Sequence, residues 1–177
     1  MHEQPGTRSA SPGVLTPDVT DKLDLAFVGS GGDGVALLGD LVLRAAARQG
    51  LYGMMVQAYG PQIRGGESAA ILRIARREAV YEGEQNDLLV CFRTTDLKRF
   101  RGAVRLHEKS VLILEERDEN PLPEWLGTSS VAPYRYPFAR WEDGVEVEGD
   151  PKNMLAFALV ARAMGWDHEL PRQVLEQ

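Results

Sequence analysis

The sequence LDLAFVGSGGDGVALLGDLVLRAAAR, residues 23–48, decides the fold. It opens with a short apolar run, Leu23 to Val28, which is typical of a buried strand. A glycine-rich loop follows, and Val35 to Arg48 then carries apolar residues around most of a helical circumference, which predicts a heavily buried helix. Gly50 stands where a left-handed C-terminal cap of that helix would fall. The stretch therefore predicts a strand–loop–helix unit.

The residues that follow predict a mixed sheet. Met54 to Tyr59 is a second strand, and a right-handed crossover through the helix makes it parallel to the first. Residues 60–67 are too few to carry a crossover helix. The next strand, Ala69 to Ala75, is therefore predicted to run antiparallel to the second strand if the two are neighbours.

The second half of the chain predicts further strands and helices. We expect strands at Asp87–Phe92 and Ser110–Glu115, an edge element at Val131–Pro137, and helices at Thr95–Leu106, Lys152–Met164 and Pro171–Gln177. Asp150 and Pro151 suit the N-cap and first position of the helix that ends at Gly165. Together the elements predict a three-layer α/β/α, Rossmann-like domain whose mixed sheet is mainly parallel with one antiparallel strand.

Length and composition predict one domain. A chain of 177 residues with 44% hydrophobic residues can bury a single core. Residues 1–22 are rich in Pro, Ser, Thr and Gly, so we expect a disordered or extended N-terminal segment. Residues 23–177 form the domain, and its end inside a helix leaves a C-terminal truncation open.

Charge and hydropathy exclude several classes of protein. The net charge of −6 and the pI near 5.1 argue against general nucleic-acid binding, which needs a basic face. No apolar run approaches the roughly 20 residues of a membrane helix, and the start does not resemble a signal peptide. We therefore expect no nucleic-acid partner, no membrane and a cytoplasmic location.

Cysteine and histidine usage limits the chemistry of this chain. Cys91 is the only cysteine and lies in a predicted buried strand, so the chain alone holds neither a disulfide nor a cysteine-ligated zinc or iron–sulfur site. The three histidines are scattered, and no nucleophile–base pair is visible. We therefore predict no catalytic residue and no metal ligand in this chain.

The first glycine loop matches a phosphate-binding pattern. Gly29, Gly31 and Gly34 fit G-x-G-x-x-G between a strand and a helix, where free backbone N–H groups attract an anion. However, the dinucleotide fingerprint also needs a carboxylate at the end of the second strand, which reads MMVQ here. Asp33 also competes with a bound phosphate. Anion binding and simple close packing of strand on helix both remain open.

Two motifs together carry a family resemblance. The loop Gly29–Gly34 with its helix, followed by YGPQIRGGES at 59–68, resembles the gamma subunit or gamma domain of 2-oxoacid:ferredoxin oxidoreductases. The strand around Ile71–Ile74, the strand at Asp87 and the late helix that opens with Asn153 also suit that family. The resemblance covers residues 23–177. It is specific in the first half and looser from Arg99 to Gly149.

The resemblance implies a non-catalytic subunit of a larger enzyme. Such enzymes oxidatively decarboxylate a 2-oxoacid to an acyl-CoA, with thiamine diphosphate, Mg and [4Fe-4S] clusters on partner subunits. The partners implied are the alpha, beta and ferredoxin-like (delta) subunits, with ferredoxin or another acceptor receiving the electrons. The sequence Arg64-Gly65-Gly66 favours 2-oxoglutarate or aromatic 2-oxoacids over pyruvate.

Coenzyme A is the co-substrate that this chain is expected to help enclose. The candidate coenzyme A residues are Gly29, Ser30, Gly31, Gly32, Asp33, Gly34, Arg64, Gly65, Gly66 and Ser68. Arg64 either binds a phosphate or a carboxylate of a partner subunit, or forms a structural ion pair with Glu67. The basic run from Arg93 to Arg105 is interpreted as a solvated helix face. The alternative function is a free-standing Rossmann-like nucleotide-binding module or an NAD-dependent dehydrogenase.

Overall fold

The computed structural model describes residues 22–60, 66–78, 83–126, 131–138 and 152–176. Six strands form one sheet, and each coincides with a predicted strand within a few residues. They are β1 Lys22–Ser30, β2 Tyr52–Tyr59, β3 Glu67–Ala75, β4 Asn86–Cys91, β5 Leu106–Glu115 and β6 Tyr134–Tyr136. The helices are α1 Val35–Arg48, α2 Lys152–Ala163 and α3 Glu169–Leu175.

The sheet has the order β2-β3-β1-β4-β5-β6. β3 lies between β2 and β1 and is antiparallel to both, whereas β1, β4, β5 and β6 pair in parallel. The prediction of a mixed, mainly parallel sheet with one antiparallel strand is therefore confirmed. β1 and β2 run in the same direction, as predicted, but β3 separates them.

The sheet separates two apolar cores because strand residues alternate between its faces. On one face, Leu25 and Phe27 of β1 pack with α1, α2 and α3. On the other face, Ala26 and Val28 pack with Leu97 and the segments around residues 104–106, 126 and 131. The two layers that cover the sheet are thus α-helical on one side and largely irregular on the other.

The helix predicted at Thr95–Leu106 is wrong in type and length. The structure has a 3-10 helix at Thr94–Phe100, and Leu106 already belongs to β5. Thr94, Leu97 and Phe100 are its buried residues at intervals of three, together with Asp96. An interval of three places side chains on one side of a 3-10 helix, which has three residues per turn. Burial at that spacing therefore favours the tighter helix over an α-helix.

Two glycines end α-helices as the sequence predicts. Gly50 has φ of 73°, and the N–H groups of Gly50 and Leu51 donate to the carbonyls of Ala47 and Ala46, which closes α1. Gly165 has φ of 66° just after α2. The predicted N-cap pair Asp150 and Pro151 lies outside the described residues, as do residues 1–21 of the predicted N-terminal segment 1–22. Lys22, the last residue of that segment, begins β1.

Candidate functional site

The glycine loop lies at a topological switch point of the sheet. At such a point, the chain segments that follow two adjacent parallel strands leave towards opposite faces of the sheet. β1 and β4 are adjacent and parallel, so their carboxyl ends lie at the same edge of the sheet. After β1 the chain enters α1 on one face, and after β4 it enters the 3-10 helix on the other face. In open α/β sheets the crevice at such a point is where ligands bind.

The structure brings the two glycine clusters together. The N–H of Gly31 donates to the carbonyl of Gly66 at 2.6 Å. The hydroxyl of Ser68 lies 3.4 Å from the carbonyl oxygens of Gly29 and Ser30. Among the residues proposed from the sequence, Arg64 and Gly65 lie outside the described part of the chain.

Two glycines of the first loop are required by close packing. Gly34 has φ of 72°, and a Cβ there would collide with the side chain of Asn153 at the start of α2. A Cβ on Gly29 would lie 2.8 Å from Oδ2 of Asp33 and 2.9 Å from the ring of Phe92. Close approach of neighbouring side chains thus gives a structural reason for glycine at both positions, and it leaves anion binding by the loop open.

The carboxylate of Asp33 folds back onto the first glycine loop. Its Oδ2 accepts the N–H of Ser30 at 2.7 Å, and its Oδ1 accepts Nζ of Lys152 at 3.1 Å. The side chain of Asp33 is only 14% exposed. A phosphate could not take the Ser30 N–H while this carboxylate holds it. That Asp33 competes with an anion at this loop stays a prediction, and its bond to the Ser30 N–H is consistent with it.

Arg93 is the site residue that the sequence interpretation missed. It lies two residues after the end of β4, and its Nη2 donates to the hydroxyl of Ser30 while its Nε lies 3.1 Å from Oδ1 of Asp96. The Ser30 hydroxyl also donates to Oδ2 of Asp96 at 2.9 Å. The feature of the sequence that could have indicated Arg93 is its position two residues past the end of β4, the strand beside β1.

Arg93 is a fixed and exposed cation. Its hydrogen bond with Asp96 raises the pKa of Arg93, although burial opposes this, so the guanidinium stays charged. Asp96 is 5% exposed, whereas the Arg93 side chain is 52% exposed. Five N–H donors are available to a guanidinium. Arg93 can therefore keep its bonds to Asp96 and Ser30 and still donate to an anion outside the loop.

A buried carboxylate fixes the chain just after Arg93. Oδ2 of Asp118 accepts both the N–H and the hydroxyl of Thr94, and Oδ1 accepts from Asn120. Burial alone would raise the pKa of Asp118, but these hydrogen bonds outweigh it and lower the pKa. Thr94 begins the 3-10 helix, so this contact holds Arg93 at the loop.

The geometry differs from that of a dinucleotide site. In the dinucleotide fold the strand that carries the ribose-binding carboxylate lies beside the first strand. Here β3 separates β1 from β2, and β2 ends in Gln57, Ala58 and Tyr59 without a carboxylate. The arrangement fits recognition of an anionic group by Arg93 better than recognition of a ribose.

The remaining chemistry of the described residues is limited. Burial raises the pKa of the Cys91 thiol far above its ordinary value, so the thiol stays protonated. No three His, Cys, Asp or Glu side chains in the described ranges are grouped to hold a metal ion. Within those ranges no helix has the length and apolar character needed to cross a membrane.

Comparisons with known proteins agree on one family. The family model described as pyruvate ferredoxin/flavodoxin oxidoreductase matches residues 24–177. The 2-oxoglutarate synthase subunit KorC of Methanothermobacter marburgensis is 29% identical over 119 residues, which are 66% of this chain and 64% of that protein. This chain thus matches less than two thirds of the length of that relative.

Two solved structures have a similar fold. One is the gamma subunit of a keto/oxoacid ferredoxin oxidoreductase from Geobacter sulfurreducens, with a TM-score of 0.66, 22% identity, and coverage of 86% of this chain and 84% of that one. The other is the 2-oxoglutarate:ferredoxin oxidoreductase of Magnetococcus marinus, solved with 2-oxoglutarate, coenzyme A and succinyl-CoA bound. Its TM-score is 0.72 at 19% identity, and the match covers 88% of this chain and 27% of that one.

Proposed function

Because this chain belongs to the pyruvate ferredoxin/flavodoxin oxidoreductase family, we propose that it is the non-catalytic gamma subunit of a 2-oxoacid:ferredoxin oxidoreductase. In this proposal it packs on alpha, beta and ferredoxin-like delta subunits of a cytoplasmic complex. Those subunits hold thiamine diphosphate, Mg and the iron–sulfur clusters. The single cysteine, whose thiol is buried, supports the assignment of the clusters to other chains.

The proposed reaction is the oxidative decarboxylation of a 2-oxoacid to an acyl-CoA. We favour 2-oxoglutarate or an aromatic 2-oxoacid over pyruvate. The name of the Methanothermobacter relative, a 2-oxoglutarate synthase subunit, supports this choice. So does the Arg64-Gly65-Gly66 sequence, on which the resemblance to such enzymes rests.

The proposed contribution of this chain is to help enclose coenzyme A at the glycine loops. The observation that carries this is the exposed guanidinium of Arg93, held on Ser30 and Asp96 at the switch point of the sheet. Asp33 already accepts the N–H of Ser30 within the loop. A coenzyme A phosphate would therefore bind on the solvent side of the loop, next to the guanidinium of Arg93. Gly66 and Ser68 of the second cluster would border the same position, since both contact the first loop.

The test is Arg93→Ala in the assembled enzyme. Loss of one charge-assisted hydrogen bond, about 1.5–3 kcal/mol, should raise the KM for coenzyme A roughly 10- to 100-fold. The KM for the 2-oxoacid and the bound thiamine diphosphate should not change. Arg64→Ala in the same assay tests the second glycine cluster, and a similar rise is expected.

The matched control is Arg99→Ala, which removes an exposed arginine of the 3-10 helix that begins just after Arg93. It should leave the KM for coenzyme A unchanged. If the Arg93→Ala complex dissociates while its intact fraction keeps a normal KM for coenzyme A, then Arg93 is a subunit-interface residue and the proposed contact is wrong.

A further inference from the structure

The outer strand β2 is unusually apolar for a sheet edge. Five large hydrophobic residues of the described chain are exposed, and three of them, Tyr52, Val56 and Tyr59, lie on β2. The 3-10 helix on the open face contacts β1 and β3. Tyr52 and Val56 are 54% and 38% exposed, so the covering layer does not bury β2.

Among the residues that the structure describes, no strand pairs with the outer edge of β2. The N–H of Gly60 donates to the carbonyl of Glu67. With the register of β2 on β3, this bond shows which residues of β2 form hydrogen bonds with β3. In an antiparallel pair every second residue bonds to the neighbour. The N–H and C=O groups of Gly53, Met55, Gln57 and Tyr59 therefore point away from β3, towards the edge.

β2 lacks the features that usually protect an edge strand. Natural edges carry charges, proline or a bulge, which prevent pairing with another strand. The eight residues YGMMVQAY contain no charge and no proline. Their pairing with β3 runs from Tyr52 to Tyr59 without a register shift. The edge is therefore long, regular and neutral.

We propose that this edge pairs with β2 of a second copy of the chain and forms one continuous sheet. Each chain carries a net charge of −6, so association is favoured where neither copy presents charge. A partner must supply a neutral strand with a free edge, and β2 of a second copy has both properties. The nearby α1 residues Asp40 and Arg44 already neutralise each other at 2.8 Å.

Symmetry agrees with this pairing. A two-fold axis normal to the sheet makes two β2 strands antiparallel and keeps the same face of both copies on one side. Met54 and Val56 of the two copies then form one apolar strip. The outward groups of Met55 and Gln57 in each copy obtain hydrogen-bond partners. This proposal concerns an interface only and does not depend on the proposed enzymatic function.

The test combines a cysteine cross-link with an edge-blocking proline. Val56→Cys should give a cross-linked dimer with a short bismaleimide, because the strands are adjacent and the native Cys91 is buried. Adding Gln57→Pro should abolish the cross-link and give a monomer by sedimentation. The proline removes an N–H that points to the free edge and leaves the bonds to β3 intact.

The matched control is Leu175→Cys, which places a cysteine at a 50% exposed position on α3. It should not cross-link. Circular dichroism and thermal unfolding should show that Gln57→Pro remains folded. If it does not, Val56→Lys in the otherwise wild-type chain replaces it, and sedimentation alone is the measurement, with a monomer expected. The proposal is overturned if the wild-type chain sediments as a monomer at all concentrations, or if Leu175→Cys cross-links as well as Val56→Cys. It is also overturned if the β2 amides become protected from hydrogen exchange only after partner subunits are added.

Discussion

At the scale of single residues, the ion pair between Asp24 of β1 and Arg73 of β3 stands out. Nε and Nη2 of Arg73 donate to the two carboxylate oxygens of Asp24 at 2.7 and 2.9 Å. Both side chains are less than a tenth exposed. A charge buried without its partner is strongly unfavourable, whereas a buried pair replaced as a unit often is not.

Arg73→Met is expected to destabilise the domain by about 3–5 kcal/mol because it leaves Asp24 buried without its partner. The double variant Asp24→Leu/Arg73→Met should recover most of this loss. Chemical denaturation measures both free energies of unfolding. The exposed pair Asp40–Arg44 is the control, since Arg44→Ala should cost no more than about 1 kcal/mol. A double variant no more stable than Arg73→Met would contradict the explanation.

Residue roles were less predictable from the sequence than residue positions. Asp33 was expected to compete with an anion, and the structure has it bonded to Ser30 and Lys152. Arg93 was assigned to a solvated basic run, because its contact with Ser30 joins residues 63 positions apart. The sequence alone does not show which strands are neighbours, so this contact could not be read from it.

At the scale of elements, α1 and α2 begin at the same place. Gly34 is the N-cap of α1, and the space beside its Cα is filled by Asn153 from the first turn of α2. Glycine is needed there both for φ of 72° and for the close approach. The glycine loop therefore joins two helices and a strand end, which explains why the pattern is dense in glycine.

Gly34→Ala should therefore destabilise more than Gly50→Ala. Both glycines have φ above 70°, and alanine there costs roughly 1–2 kcal/mol. Around Gly50 nothing lies within 4 Å of an added Cβ, whereas at Gly34 the Asn153 side chain must move. Adding Asn153→Ala to Gly34→Ala should reduce the cost to that of Gly50→Ala. Equal unfolding free energies for the two single variants would show that the contact with Asn153 is unimportant.

The elements themselves were largely predictable. The bounds of α1 agree with the predicted Val35–Arg48, because glycine loops flank a strongly apolar run. The 3-10 helix was predicted as an α-helix, and its region has apolar residues at 97, 100 and 104, spacings that suit either type. Only the burial of Thr94, through the bonds of its N–H and hydroxyl to Asp118, distinguishes the two.

At the scale of the whole molecule, topology produces the site. The position of β3 between β1 and β2 moves β2 to the edge and leaves β1 beside β4. The switch point between β1 and β4 then brings together Ser30, Asp96 and Arg93 from both halves of the first hundred residues. The same topology leaves the apolar strand β2 open at the outside of the sheet. The antiparallel direction of β3 could be predicted from the short connection before it, whereas its place in the sheet order could not.

The central claim is that this chain acts only as a subunit of a 2-oxoacid oxidoreductase. The most direct measurement is 2-oxoacid- and coenzyme A-dependent reduction of ferredoxin by the partner subunits, purified with and without this chain. We predict that the chain co-purifies in a brown complex containing thiamine diphosphate, and that acyl-CoA formation requires it. Full coenzyme A-dependent activity of the partners without this chain, or a colourless chain that binds NAD alone, would contradict the claim.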